Sequence, residues 1–341
     1  MSHVEAFPGV DVNPSEQEEF EEALEEHREV GHSRWSELEA QVPDVSEWHE
    51  FDQAGVASIR ALFEEKAGLD VSNNLEQRMF FIPREHASQI GLRDEAGGKV
   101  LSSEDAIFVS FPIEKSNATG NAIDKYAMLV SPLHERFHSV GRQVVISQKQ
   151  EVRGWVPWSR KINISNKDAQ FGFVTSSSSE ELRGSGLEEA VTYFYSEKLL
   201  MESTDPIMLR KHKEALTNIL STVGDENKIA ILEKMTSDEF RTFSATFRKQ
   251  FIEDLGGDTE EWGFYRLYEA LLERATSLGI CAEFEKQILT TRIDPSNTRA
   301  LFQTLKSVTG DPEVARKIFK LSSDDSEELN SLIDYLHGFQ E

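Results

Sequence analysis

The run Leu133-His134-Glu135-Arg136-Phe137-His138 carries the spacing H-E-x-x-H. On a helix, two histidines four residues apart lie on one face, one turn from each other. Their imidazoles can then bind a single Zn²⁺, and the intervening Glu135 can reach a water at the metal. Zinc lowers the pKa of such a water and polarises a carbonyl, which is the chemistry of peptide hydrolysis. The pattern makes His134 and His138 candidate metal ligands and Glu135 a candidate general base. His27, His32 and His49 lie earlier in the chain without metal spacing and read as surface histidines.

A catalytic zinc takes three protein ligands and keeps one position open. No H-x-x-G-x-x-H follows His138, so the metzincin pattern is absent. Further on, Gly186-Leu187-Glu188-Glu189-Ala190-Val191-Thr192-Tyr193-Phe194 offers two adjacent carboxylates. On a helix they point about 100° apart, so only one can face a metal, and geometry alone leaves both open. This segment resembles the N-E-G/A-h-T segment (h, hydrophobic) on the third-ligand helix of gluzincin-type metallopeptidases. The succession of HExxH, a hairpin region and a Glu-bearing helix, over roughly residues 100–200, resembles the gluzincin core.

The resemblance implies Glu189 as third zinc ligand and Glu188 in the preceding slot, usually Asn; Glu188 then reads as a first-turn carboxylate favoured by the helix dipole. It also implies a donor for the developing oxyanion, in gluzincins commonly Tyr, His or Arg. Tyr193, one turn past Glu189, is the main candidate, with Arg153 beside it and Tyr265 and Tyr268 as weaker ones. Three features depart from the pattern. Arg136 stands where an uncharged residue is usual, and is expected on the solvent side. Pro132 lies close to the first ligand. No acid follows Glu189 or Glu188 by four residues, where Tyr193 and Thr192 stand, so a carboxylate orienting a ligand histidine has to come from elsewhere or be absent.

The elements that must position these groups are legible in outline. Residues 1 to about 14 read as a loose tail, followed by an acidic helix from Ser15 toward Gln41 that rests lightly on the body; a docking or autoinhibitory arm is the alternative reading. A second helix fits 52–67, stopped by Gly68. Met79–Ile82 and Ala106–Phe111 are strand-like runs, and 116–122 is turn chemistry. Helical spacing runs from Ile123 to Val140 with Gly141 as its stop. Pro132 leaves two options, a kinked helix or a fresh start with Ser131 as cap. Strands are expected at 144–147, 152–156, 162–164 and 171–174, then a flexible connection at 176–186 and a helix at 187–201. Trp155 and Trp158 around Pro157 read as a hydrophobic cover, or alternatively as a lip over a cleft. The remainder is helical, at 205–223, 226–235, 237–254, 259–277, 280–290, 296–308, 312–319 and 325–337.

A hydrophobic share of 38% with 28% charged residues is a globular balance with a real core. The net charge of −25 disfavours nucleic acid and anionic membrane as partners. The single cysteine, Cys281, excludes an intrachain disulfide and reads as a small buried apolar residue. No signal-peptide pattern opens the chain, and no apolar run reaches membrane-spanning length, so the expected location is cytoplasmic. The expectation is an α+β, zincin-like metallopeptidase core with a small β-sheet at 46–201. An acidic tail and helix at 1–45 precede it, and a predominantly helical C-terminal subdomain at 202–341 follows. Its expected work is zinc-dependent cleavage of a peptide or protein substrate. The alternative is a catalytically inactive zincin-like interaction protein; a helical acidic adaptor with an accidental HERFH is disfavoured by the strand-rich stretch at 143–174.

Overall fold

The computed structural model describes residues 4–8, 14–90, 97–101, 105–111, 120–147, 167–171, 175–176, 182–183, 185–254, 260–322 and 325–338. The chain is mostly helical with small sheets, an α+β arrangement. Its elements run β1 (Val4–Pro8), α1 (Pro14–Glu39), α2 (Val45–Ala67), β2 (Arg78–Pro83), β3 (Gly98–Leu101), β4 (Ala106–Phe111), α3 (Gly120–Val140), β5 (Arg142–Ser147), β6 (Lys167–Phe171), β7 (Thr175–Ser176) and β8 (Leu182–Arg183). Then follow α4 (Ser185–Glu202), α5 (Pro206–Val223), α6 (Glu226–Leu232), α7 (Ser237–Asp254), α8 (Glu260–Ser277), α9 (Cys281–Ile293), α10 (Thr298–Thr309), α11 (Pro312–Lys320) and α12 (Ser326–His337). Among the described residues, no helix is long and apolar enough to cross a membrane.

One sheet has the order β2-β4-β3, with β2 and β4 parallel and β3 antiparallel to β4. The unbroken apolar runs of β2 and β4 are what strands covered on both faces require. Side chains alternate along each strand. Met79, Phe81, Ile107 and Val109 join Trp48 and Phe51 of α2 and Leu129 and Leu133 of α3. Phe80, Ile82, Ala106 and Phe108 face the other way and meet Trp35 of α1. The C-terminal end of α1 therefore does not rest lightly on the body. Trp35 is 5% exposed, and the buried Glu39 accepts the Phe81 N–H at 2.9 Å. That N–H belongs to the outer edge of β2, which would otherwise be left without a partner. At this end of α1, Trp35 and the partly buried Leu38 supply the apolar contact.

The N-terminal segment is also corrected. Val4–Pro8 is not loose tail; it pairs in parallel with β5, which pairs antiparallel with β6 on its other side. Of the strand expected at 171–174, Phe171 closes β6 (Lys167–Phe171), and 172–174 lie outside the described residues. The strands expected at 152–156 and 162–164, Arg153, and the Trp155/Trp158 pair lie outside the described residues.

Helix α3 is a single helix with Pro132 inside it, so no fresh start occurs at Ser131. Leu129 and Leu133 face the sheet, while Phe137 and Val140 enter the helical core. This burial corrects the placement of Arg136. Two residues from His134, it points about 200° round the helix, away from the histidine face. That side is covered by α2 and the segment before β2, and Arg136 is 2% exposed. Its Nε donates to Asp52 Oδ1 at 2.9 Å and its Nη2 to Asp52 Oδ2, while Nη1 donates to the Gln77 and Leu75 carbonyls at 2.6 and 3.3 Å. This is a bidentate fork with both Nη1 hydrogens also used. Asp52→Ala strands a buried guanidinium and is expected to cost about 3 kcal/mol or more. Urea unfolding measures this, and a loss below about 0.5 kcal/mol, the scale of an ordinary surface substitution, would refute the assigned role.

The largest apolar cluster joins Phe63 of α2, Phe137 of α3, Val191 of α4, Leu271 of α8, Ile288 of α9, Leu305 of α10, Ile318 of α11 and Ile333 of α12. It draws on residues from both sides of position 202. Gly186, at the start of α4, donates its N–H to the Leu321 carbonyl at 3.0 Å, and an added Cβ there would meet the Leu321 side chain at 2.5 Å. A separate cluster holds Ile219 and Leu220 of α5 against Phe240 of α7. Beside it, His212 is fully buried and contacts Ser244 Oγ at 2.9 Å. Burial lowers its pKa to about 4. The unfolded chain therefore takes up a proton near pH 6.5 that the folded chain refuses until about pH 4. Stability is fully present above the unfolded value and falls as pH drops through that window, by about 3 kcal/mol. His212→Phe should flatten that slope in denaturant titrations between pH 6.5 and 4.

Candidate metal centre

Helix α3 presents His134 and His138 to the first turns of α4. Their Nε2 atoms lie 2.9 Å apart, so the pair either shares one proton or meets a common cation. Glu189 Oε2 is 3.3 Å from His134 Nε2, and its Oε1 is 3.5 Å from His138 Nε2. Ligand atoms on a tetrahedral zinc with bonds of about 2.0–2.1 Å sit roughly 3.3–3.4 Å apart. The observed separations bracket that spacing, and the His-His-Glu donor set suits zinc, so these residues fit the ion. Among the described residues, these three side chains form the group able to hold a metal. Both histidines are buried, whereas the Glu189 side chain is 26% exposed, so the cluster opens to solvent on that side.

The electrostatics follow from this crowding. Burial opposes charge on His138, but Glu189 and Glu188 outweigh it and push its pKa up to about 10. Burial opposes ionisation of Glu189 as well, yet His138 and His134 hold its carboxyl well below the usual range. Glu135, buried beside them, is shifted upward, chiefly by desolvation.

Glu188 is not among the three grouped donors. Its Oε1 lies 3.1 Å from His138 Nδ1, on the far side of the ring from Glu189. A carboxylate thus stands beside His138 Nδ1, contributed by the residue before Glu189 and not by one a turn after it. The 100° between adjacent helical residues makes this possible: one Glu reaches Nε2 and its neighbour reaches round to Nδ1.

The Tyr193 ring lies 4.3 Å from the His134 ring, centroid to centroid, and lines the cluster. Tyr265 and Tyr268 are buried in the helical core instead. Tyr265 packs on Phe194, and the Tyr268 hydroxyl is 3.2 Å from that of Tyr195. Cys281 is only half-buried, with Sγ 4.0 Å from Glu285 Oε2.

Two contributors escaped the sequence reading. Gly98, on β3, lies against Glu135; an added Cβ would come within 2.4 Å of Glu135 Cγ and 2.9 Å of the Phe108 carbonyl oxygen. The Gly97-Gly98 pair opening a strand was the available signal. Arg292 of α9 is fully buried and contacts Glu188. Its signal was a charge on the stripe that Phe284, Ile288 and Leu289 make apolar.

Comparisons with protein-family models, with curated proteins and with solved structures find no match for this chain.

Proposed function

We propose that this chain is a zincin-like, zinc-dependent peptidase that hydrolyses peptide bonds in a peptide or protein substrate. The observation that carries this reading is the convergence of His134 Nε2, His138 Nε2 and the Glu189 carboxylate at zinc-ligand spacing, with Glu135 buried beside them. Zinc held there would lower the pKa of a water and polarise the scissile carbonyl. Glu135 takes the proton from the attacking water and passes it to the leaving amine. A desolvated carboxyl shifted upward suits both halves of that task. Tyr193, against His134, is the donor assigned to the developing oxyanion. Glu188 holds His138 in the tautomer that turns Nε2 toward the cluster. Strand β3 pairs with β4 on one side, and its other edge is unpaired among the described residues. It passes Glu135 at Gly98, so an extended peptide added along that edge would bring its backbone to the general base.

Gly98→Ala tests that placement. An added methyl meets both Glu135 Cγ and the Phe108 carbonyl of the neighbouring strand, so the Glu135 side chain and the β3 backbone must both give way. A displacement near 1 Å costs about 10²-fold in rate. The expected result is that loss in kcat/KM with zinc content unchanged; an unaltered rate would refute the close fit.

The inactive-interaction reading drew on Arg136 and on the missing orienting acid. Arg136 is turned away from the cluster and paired with Asp52, and Glu188 occupies the acid's place, so neither feature now favours it. The deciding experiment measures metal content and activity together. Full-length protein purified without added zinc should carry about one zinc per chain and cleave an unfolded, dye-labelled protein, with cleavage abolished by a chelator and restored by zinc. Full occupancy with no cleavage of any unfolded substrate would favour the inactive reading, and no metal would overturn the peptidase reading while leaving a metal-free interaction protein.

A further inference from the structure

We propose that Arg292 is a positioning residue of the metal centre: it fixes the Glu188 carboxylate against His138 and thereby aims His138 Nε2 at Glu189 and His134. The inference rests on the metal reading above and extends the centre to a third helix, 104 residues beyond Glu188.

The geometry is specific. Arg292 Nη2 donates to Glu188 Oε1 and to Thr192 Oγ1, the latter at 2.8 Å, and lies 3.4 Å from His138 Nδ1. One oxygen, Glu188 Oε1, therefore receives both the His138 ring and the guanidinium. The guanidinium carbon lies 4.3 Å over the Phe137 ring, next in the chain to His138. Arg292 is thus gripped by α3 and α4 together, and its exposure is 0%.

A residue serving only to fill this space would be apolar, as Phe284, Ile288 and Leu289 on the same helix are. Burying a guanidinium is costly, and here Nε and Nη1 find no partner among the described residues. The charge is thus kept without full hydrogen bonding. What it supplies is direction: Glu188 Oε2 has no partner either, so Arg292 selects which carboxylate oxygen faces the ring. Without it, the carboxylate is free to rotate and the imidazole loses its fixed Nδ1 acceptor. Loss of such an outer partner typically weakens metal binding about 10–100-fold.

The test is zinc affinity of the metal-free, full-length protein, measured by chelator competition alongside thermal melting. Arg292→Met should bind zinc about 10–100-fold more weakly than wild type. Arg292→Lys, which keeps the charge but loses the planar guanidinium over Phe137, should recover part of that loss. The double variant Arg292→Met with Glu188→Gln leaves no unpaired buried charge, keeps an acceptor facing His138, and should fold yet remain weak. Ile219→Ala, in the separate α5–α7 cluster, should lower the melting temperature with wild-type affinity. Wild-type affinity in folded Arg292→Met or in the folded double variant overturns this inference alone. So does an affinity loss in Ile219→Ala that follows melting temperature equally. No zinc binding by wild type overturns the metal reading and this inference with it.

Discussion

Glu135→Gln should leave zinc bound and lower kcat about 10²–10⁴-fold, the usual contribution of a positioned general acid–base. The amide has the same shape, so it sits in the space Gly98 leaves without disturbing the strand. It cannot accept the proton of an attacking water or deliver it to an amine. Glu135 is not among the three groups at ligand spacing, so metal content should stay at the wild-type level. Removing the carboxyl also removes a buried group that pays for desolvation, so the variant should melt no lower than wild type. Cleavage at an undiminished rate with zinc bound would end the assignment of Glu135 as base.

His138→Ala is expected to have the largest effect on the metal itself. Structural zinc sites bind with roughly 10–16 kcal/mol, so one of three protein ligands carries about 3–5 kcal/mol, or about 10²–10⁴-fold in affinity. Cleavage should fall with occupancy, unlike the Glu135→Gln case, where the two separate. The scaffold should survive, because Glu188 keeps Arg292 and Arg292 keeps Thr192 when the imidazole is gone. Metal analysis after gel filtration reads the result directly. Retention of one zinc per chain with wild-type affinity would place the metal elsewhere.

The fold was legible in the sequence where periodicity is strong. The helices after 205 lie where their apolar spacing puts them, with shifts mostly at the ends; α7 spans Ser237–Asp254 as read, while α6 stops at Leu232. The apolar runs of β2 and β4 are strands for the same reason. Misreadings arose where one long-range contact outweighs local pattern. Val4–Pro8 is a strand because β5 offers it an edge, and nothing in its own residues demands this. The end of α1 is docked because Trp35 and Glu39 find the second face and outer edge of a sheet whose strands come later in the chain.

The candidate centre divides in the same way. Helical spacing by itself determined that His134 and His138 share a face, that Glu135 is adjacent, and that Glu188 and Glu189 diverge by about 100°. These are properties of a helix, independent of what surrounds it. Only the packing of α4 on α3 decided which carboxylate meets the two Nε2 atoms and which goes behind the ring. Only the cover on α3's other side turned Arg136 from an expected surface charge into a buried partner of Asp52. Only the return of α9 brought Arg292 to Glu188. A short-range pattern specifies directions around one helix axis. Which of those directions are filled, and by what, is set by contacts between segments far apart in the chain, and a single sequence carries no local trace of them.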